Sequence, residues 1–372
     1  MSKARDIADL GGVTTRLDQV GNSDGALSNR NLVINGAMQV AQRGTSKTVT
    51  AANTYLLDRF QAYSGNPSTY GYTVSQETDS PNGFSNSLKY NFDDADASPS
   101  TEHSIYHKME GQNLQQLQKG TSSAKSVTLS FWCKASLAGT YIVELMDNDN
   151  SNRHISKSYS ISAVNTWEYK AVTFEGDTVG ALANDAGNSL AITYWLAASS
   201  SNTIGTLQTS WGPLSQGNRA VGQTNLGATA NNSFFITGVQ LELGDTATPF
   251  EHISYADQLQ KCQRFYYCFE KADSGEHNGF LAVSYNANSA YFPIHFPVEM
   301  RTSPTFRIGG LWATRLNNNN QFAASPGLQN NSKAGGVYYT AVSSVPASTA
   351  FWVEPSSADT SNTAYMNFDA EL

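Results

Sequence analysis

GVQLELGDTATPFEHISYADQLQKCQRFYY, residues 238–267, holds two patterns back to back. Its first part alternates like a strand and stops at Gly244-Asp245. Pro249 then removes a backbone donor and biases Thr248 toward extended geometry. Ser254 stands where a helix cap is wanted, and Tyr255, Leu259 and Cys262, continued by Tyr266, recur at helical spacing. The pattern predicts a helix over 255–267 inside a chain that otherwise reads as strands.

Upstream, KSVTLSFWCKA puts Val127, Leu129, Phe131 and Cys133 on one face and Thr128, Ser130, Trp132 and Lys134 on the other. TYIVELMD, NTWEYKAVTFE, SLAITYWLA and NSFFITGVQLEL repeat such runs between Gly, Asn, Asp and Ser clusters. Earlier candidates are NLVI, YLLDRFQAY, YGYTVSQ, NSLKYNF and HSIYHKME, with NLQQLQ as one short helical stretch. Downstream, GFLAVSY, AYFPIHFPVEM, PTFRIG, GVYYTAVS, TAFWVEP and AYMNFDA read as strands, and RLNNNNQFAASPGLQNNSKAGG as a long polar loop. The expected fold is all-β: a jelly-roll β-sandwich over residues 30–250, a linker helix over 251–269, and a second, smaller β-sandwich domain over 270–372. Residues 1–29 stand apart as an N-terminal segment. Ile7, Leu10, Val13, Leu17 and Val20 form a helix-like stripe broken by Gly11-Gly12, too short to be stable without partners.

The 372 residues carry a net charge of −8, with a charged fraction of 15% and hydrophobic residues at 40%. That is a folded chain with a polar, weakly charged surface. It has no Lys/Arg cluster, which argues against nucleic acid or an anionic membrane as the partner. Three cysteines, Cys133, Cys262 and Cys268, form no metal-type pair. The first residues lack an apolar signal core and no run is long enough to span a membrane, so a soluble protein made in a reducing cytoplasm is expected.

Several stretches resemble catalytic or metal motifs but lack their context. Gly21-Asn22-Ser23-Asp24-Gly25 has the GxSxG spacing without the strand and helix that chemistry needs. DNDNSN (147–152) places oxygens like a calcium loop, yet Asn152 and Ser158 stand where Gly and Glu are required, so it reads as a hairpin loop. His103 and His107 fall on an alternating stretch, about 13 Å apart at strand rise, too far for one ion. Asp93, Asp94 and Asp96 are the best hook for glycosidase chemistry, and they read as a solvated loop. Trp211 and Trp312, in or beside polar loops, are the candidates for stacking on a sugar.

NLVINGAMQVAQRG, YLLDRF, HKMEGQNLQQL, SVTLSFWCKAS, NTWEYKAVTF and FFITGVQLELG, in this order, resemble a carbohydrate-binding jelly roll of the galactose-binding type. With ATPFEHISYADQLQKCQRFYY and FPVEMRTSPTF they are more similar still to domains of bacteriophage tail-fibre and receptor-binding proteins. SKARDIADLG resembles the N-terminal attachment segment of such fibres. The resemblance implies a non-enzymatic virion tail fibre that binds a host surface glycan. It further implies a homotrimer that docks other virion proteins through its N-terminus, with Ile7, Leu10, Leu17, Tyr255, Leu259 and Tyr266 as candidate contacts between copies. Folds of this type often hold a structural calcium, which makes Asn35 and Glu242 its candidate ligands; no other cofactor is expected. A purely structural head-fibre, shaft or decoration protein and a glycan depolymerase are the alternatives.

Overall fold

A computed structural model describes residues 29–49, 52–66, 71–270, 279–316, 320–324, 326–341, 347–356 and 364–372. The stripe at Ile7, Leu10 and Leu17 and the Gly21–Gly25 motif lie outside the described residues. The chain divides into two compact units, Met1–Tyr255 and Ala256–Leu372.

The first unit packs two antiparallel six-stranded sheets face to face. One runs β1 (Ser46–Val49), β4 (Tyr72–Glu77), β5 (Ser87–Phe92), β12 (Ser233–Leu243), β7 (Val127–Ala135) and β10 (Glu168–Phe174). The other runs β2 (Asn53–Tyr55), β3 (Phe60–Ser64), β6 (His103–Glu110), β11 (Asn188–Ala197), β8 (Gly139–Asp147) and β9 (Arg153–Ile161). The period-2 pattern decides what lies between them. Val127, Leu129, Phe131 and Cys133 all point inward and are buried, against Phe234, Tyr194 and Leu145. Burial pushes the Cys133 thiol up to about 12, as expected of a small core residue.

NLVI departs from expectation. Residues 33–37 form a turn, and the segment touches β12 through Leu32 N–H donating to Leu241 O at 2.9 Å. Asn35 takes a left-handed φ of 64°, and an added Cβ on Gly36 would stand 2.0 Å from Val239 O. The Asn-Gly step is thus a turn that closes on the last strand.

The second unit stacks a three-stranded sheet on a seven-stranded one. The smaller runs β13 (Tyr266–Glu270), β22 (Tyr365–Asp369) and β16 (Thr305–Gly309). The larger runs β18 (Asn320–Ala324), β17 (Trp312–Leu316), β21 (Ala350–Pro355), β14 (Phe280–Asn286), β15 (Ser289–His295), β20 (Gly335–Ala341) and β19 (Gly327–Ser332). Phe292, Ile294 and Val353 meet Met366 and Phe368 between them. The expected polar loop is therefore wrong: it carries β18 and β19, the two edges of the sheet. Edge strands need no apolar face, so Asn-rich strands there leave no strand signature.

The helix is shorter than expected, Tyr255–Gln263. Tyr266 opens β13 instead, paired with Asp369, because YYCFE supplies the alternating aromatics a strand takes. Gln258 and Cys262, four apart, are its buried residues.

Candidate functional site

The face of the first sheet that points away from the core gathers side chains from distant parts of the chain. Cross-strand register sets Lys89, Phe235 and Lys134 in one row, and Thr237, Trp132 and Tyr169 in the next. Trp132 and Tyr169 lie 5.5 Å apart between ring centroids, and Trp167 meets Phe235 edge-on at 6.2 Å. The Lys134 ammonium sits 4.1 Å from the Phe235 centroid and 5.2 Å from that of Trp167. It pairs with Asp79, which also accepts from Trp167 Nε1 at 3.0 Å. Hydrogen bonds from Lys134 and then Trp167 hold the Asp79 carboxyl below the usual carboxylate range. These rings are therefore fixed in place, and Tyr169, 45% exposed, presents the most open ring of the four.

A bulge between Thr237 and Gln240 extends the strip. Gly238 there has a φ of 63°, and a Cβ on it would stand 2.7 Å from Phe84 Cζ. Its absence lets Phe84 and Trp132 close over the bulge, with Phe250 5.1 Å and His252 5.3 Å from Phe84. Polar ground flanks the rings on both sides. A groove of about 480 Å³ over β1, β4 and β5 offers Thr73, Ser75, Glu77, Lys89, Asn91 and Asp93. Inside it Asp93 accepts from Thr73 Oγ1 at 2.7 Å and from Asn91 Nδ2 at 2.8 Å. A second cleft of about 630 Å³ lies along β9 and β10 and is lined by Lys157, Ser158, Ser160, Tyr169, Lys170 and Thr173. Such a surface can stack on a flat apolar ligand face and hydrogen-bond hydroxyls on either side.

The outward face of the other sheet is partly covered. Residues 199–220 lie over β8, β9 and β11, with Ser156 N–H donating to Gln208 O at 2.7 Å and Ala220 packing on Ile142 and Trp195. Arg219 makes a two-pronged bond to Glu144, 3.0 and 2.8 Å, and lies 4.8 Å over the Trp195 ring. His154 Nδ1 closes the group at 2.9 Å from Glu144. Burial alone would raise the Glu144 carboxyl, but Arg219 and His154 bring it below its ordinary value. Trp195 is thereby fully enclosed.

Neither tryptophan expected to stack is an open platform. Trp312 is buried in the second unit's core, and its Nε1 donates to Gly309 O at 3.0 Å. Trp211 is half-buried against the first core, donates to Glu175 O at 2.7 Å, and lies 5.4 Å from the Lys119 ammonium. The acidic loop also differs from expectation. Asp93 and Asp94 are engaged locally, while Asp96 is buried beside His103 with Oδ2 3.8 Å from Nε2. Burial raises the Asp96 carboxyl and lowers the His103 imidazole to about 4. Of the candidate contacts between copies, Tyr255 is exposed, Leu259 half-buried and Tyr266 enclosed within its own unit.

Asn35 and Glu242 do not fit a calcium ion. Asn35 Nδ2 donates to Val40 O and Asp58 O, and its Oδ1 accepts from Val40 N–H at 3.0 Å. Glu242 accepts from Gln240 Nε2, Thr248 N–H and Thr248 Oγ1, at 2.9, 2.8 and 2.6 Å. It acts as a clamp with Gln240, whose Oε1 holds Glu251 N–H, while Glu251 in turn accepts from Asn31 N–H. This clamp accounts for the GVQLELG and ATPFEH runs. Among the described residues no group of three or more His, Cys, Asp or Glu side chains is placed to hold a metal. An oxygen cage does exist elsewhere, filled by a side chain: the Lys119 ammonium touches Asp147, Asp177 Oδ2 at 3.0 Å, Val179 O at 2.9 Å and Gly180 O at 2.8 Å. Asp147 begins the DNDNSN stretch, which forms the β8–β9 hairpin as expected. Among the described residues no helix is long and apolar enough to cross a membrane.

No protein-family profile matches the chain, and no curated protein matches it. Solved structures do. They include the enzymatically active domain of tailspike protein 4 from bacteriophage CBA120, at 14% identity and a TM-score of 0.31, covering 58% of this chain and 22% of that one. A family 22 carbohydrate-binding module of Clostridium thermocellum matches at 9% identity and a TM-score of 0.31, covering 59% of this chain and 99% of the module. A family 61 module solved with β-1,4-galactotriose matches at 10% and 0.28, covering 58% and 100%. The solved structures similar to this chain thus include carbohydrate-binding modules and part of a phage tailspike.

Proposed function

We propose that the protein is a non-enzymatic glycan-binding protein of a bacteriophage particle, a tail fibre that attaches to a host surface glycan through the outward face of its first sheet. The observation that carries the binding reading is the strip of Trp132, Tyr169, Trp167 and Phe235, bordered by hydroxyl- and amide-lined grooves. Rings take the apolar faces of a sugar; Thr73, Ser75, Asn91 and the lysines take its hydroxyls. The chemistry on this face is recognition: Asp79 is tied to Lys134 and Trp167, and Asp93 to Thr73 and Asn91. The virion setting, the homotrimer and docking through residues 1–29 rest on the sequence resemblance. A single weak site near millimolar affinity supplies about 4 kcal/mol, and a trimer in several copies raises avidity by about 10²–10⁴.

The test is binding of labelled protein to susceptible and resistant host cells, with Tyr169→Ala and Trp132→Ala alongside. Saturable binding to susceptible cells, weakened about tenfold by each variant, is expected from the loss of one stacking ring. Wild-type protein that binds neither cell type, or variants that bind as well as wild type, would remove the assignment.

A further inference from the structure

The cover formed by residues 199–220 leaves Asn53 exposed and Tyr55, Tyr63 and Tyr106 half-buried on β2, β3 and β6. Phe60, Ala62 and Ile105 point into the core, so Gln61, Tyr63, Ser104 and Tyr106 point away from it. Register sets these side chains in a checkerboard. Tyr55, Gln61 and Tyr106 form one row, and Asn53, Tyr63 and Ser104 the next, so each tyrosine neighbours short polar groups. Tyr63 and Tyr106 meet edge-on at 5.9 Å between ring centroids, and the Arg43 guanidinium lies 5.4 Å from the Tyr55 centroid. Glu102 fastens one side of the board. It accepts from the Tyr106 hydroxyl and from Ser104 Oγ at 3.1 Å, and it lies 3.5 Å from Arg219 Nη1.

Gln61 is the exception to this pairing. It is 6% exposed, at the floor between Tyr55, Tyr63 and Tyr106, and its amide makes no hydrogen bond among the described residues. A buried amide is ordinarily paired, and leaving its donor and acceptor unmet costs stability. What would meet both is defined by the site. An amide presents one donor and one acceptor side by side, the complement of two neighbouring hydroxyls on a sugar ring, each of which both donates and accepts. The tyrosines supply flat surface for the sugar's C–H face and further hydroxyls at its edge. An apolar ligand would leave the amide unmet, and an anion would meet only its donor while facing Glu102. At about 4.8 Å between strands and about 6.7 Å between same-face rows, the board has room for one or two sugar units.

We infer that this checkerboard is a second glycan site, in which Gln61 bonds a pair of neighbouring hydroxyls and Tyr55, Tyr63 and Tyr106 hold the ring. It rests on the glycan-binding reading for its ligand class but shares no residue with the strip of Trp132, Tyr169, Trp167 and Phe235. The two sheets stack about 10 Å apart with these faces turned away from each other, so one chain holds two separate glycan segments.

The experiment is equilibrium binding, carried to saturation, of short oligosaccharides cut by mild acid from the surface polysaccharide of susceptible host cells. Full-length wild type is compared with Gln61→Leu, Tyr63→Ala, Tyr169→Ala and the Gln61→Leu/Tyr169→Ala pair, with thermal melting of each. Gln61→Leu removes an unpaired amide, so its melting temperature should equal or exceed that of wild type. Wild type should take two oligosaccharides per chain, Gln61→Leu, Tyr63→Ala and Tyr169→Ala one each, and the pair none. Each lost site should be weakened at least about tenfold. A folded Gln61→Leu protein that still takes two overturns the inference. So does a wild type that takes one and loses it in Tyr169→Ala alone, an outcome that leaves the strip standing. A wild type that takes one and loses it in Gln61→Leu alone supports this site and removes the strip, and one that takes none removes both.

Discussion

Replacing Lys119 by alanine tests whether a side chain does the work of a bound cation. Its ammonium is almost enclosed, at 5% exposure, and the partner carboxylates of Asp147 and Asp177 stand at 0% and 3%. Removing it leaves two buried carboxylates and two carbonyls, Val179 O and Gly180 O, without their shared donor. Breaking a buried pair by removing one partner costs about 3–5 kcal/mol. The residual bonds argue for the middle of that range: Asp147 still accepts from Asn150 Nδ2 at 2.8 Å, and Asp177 from Arg153 Nε at 2.9 Å. About 4 kcal/mol in a domain of this size lowers the melting temperature by about 8–16 °C. The alanine also opens a cage of hard oxygens. A calcium ion bound there at about millimolar affinity would return about 1.4 kcal/mol at ten times its Kd, or about 3–6 °C. Lys119→Met, which fills the space, should be as unstable and gain nothing from calcium. Calorimetry of the three proteins, with chelator and with calcium, decides. A Lys119→Ala protein that melts within 2 °C of wild type refutes the account of the cage, and equal calcium responses in the Ala and Met variants refute the rescue.

The pH dependence of stability should carry the signature of His103. Its folded-state imidazole is lowered from 6.5 to about 4 by burial. The unfolded chain therefore takes up a proton before the folded one does, and stability is lost as pH falls from 6.5 toward 4, by at most about 3 kcal/mol. His107, lowered by burial and by Arg59, adds to this loss, while Asp96, raised by burial, opposes it. Urea midpoints at pH 7 and 4.5 should converge for His103→Gln, and an unchanged difference would show that other groups set it. Gly36→Ala should cost about 3 kcal/mol or more, because the new Cβ meets the Val239 carbonyl, a backbone atom of β12. A Gly36→Ala protein of wild-type stability would show that the turn moves aside freely.

Much of the fold is legible in SVTLSFWCKAS alone. Strict alternation there sends Val127, Leu129, Phe131 and Cys133 inward and leaves Trp132 and Lys134 on the outward face, and the structure places them so. Where alternation has no packing partner to enforce it, the signal fails. Asn320–Ala324 and Gly327–Ser332 become edge strands, each held by backbone pairing on one side only, so no second strand enforces alternation there and the stretch looks like a loop. Tyr266 shows the opposite conflict: helical spacing from Tyr255 suggested one more turn, but pairing with Asp369 outweighed it. The candidate site was hidden for a topological reason. Trp132, Phe235 and the Trp167–Tyr169 pair belong to three separate runs that become neighbours only because β12 lies beside β7 and β7 beside β10. Trp211 and Trp312 were suggested by their polar neighbours in sequence, yet their indole N–H groups are satisfied by carbonyls of their own unit.

The placement of the asparagine-rich strands has a consequence for growth. Strand edges are propagating ends: each chain added at an edge exposes another, so polymerisation there has no natural stop. In the seven-stranded sheet those ends are β18 and β19, strands of five and six residues, and β19, GLQNNS, offers a joining strand little apolar reward.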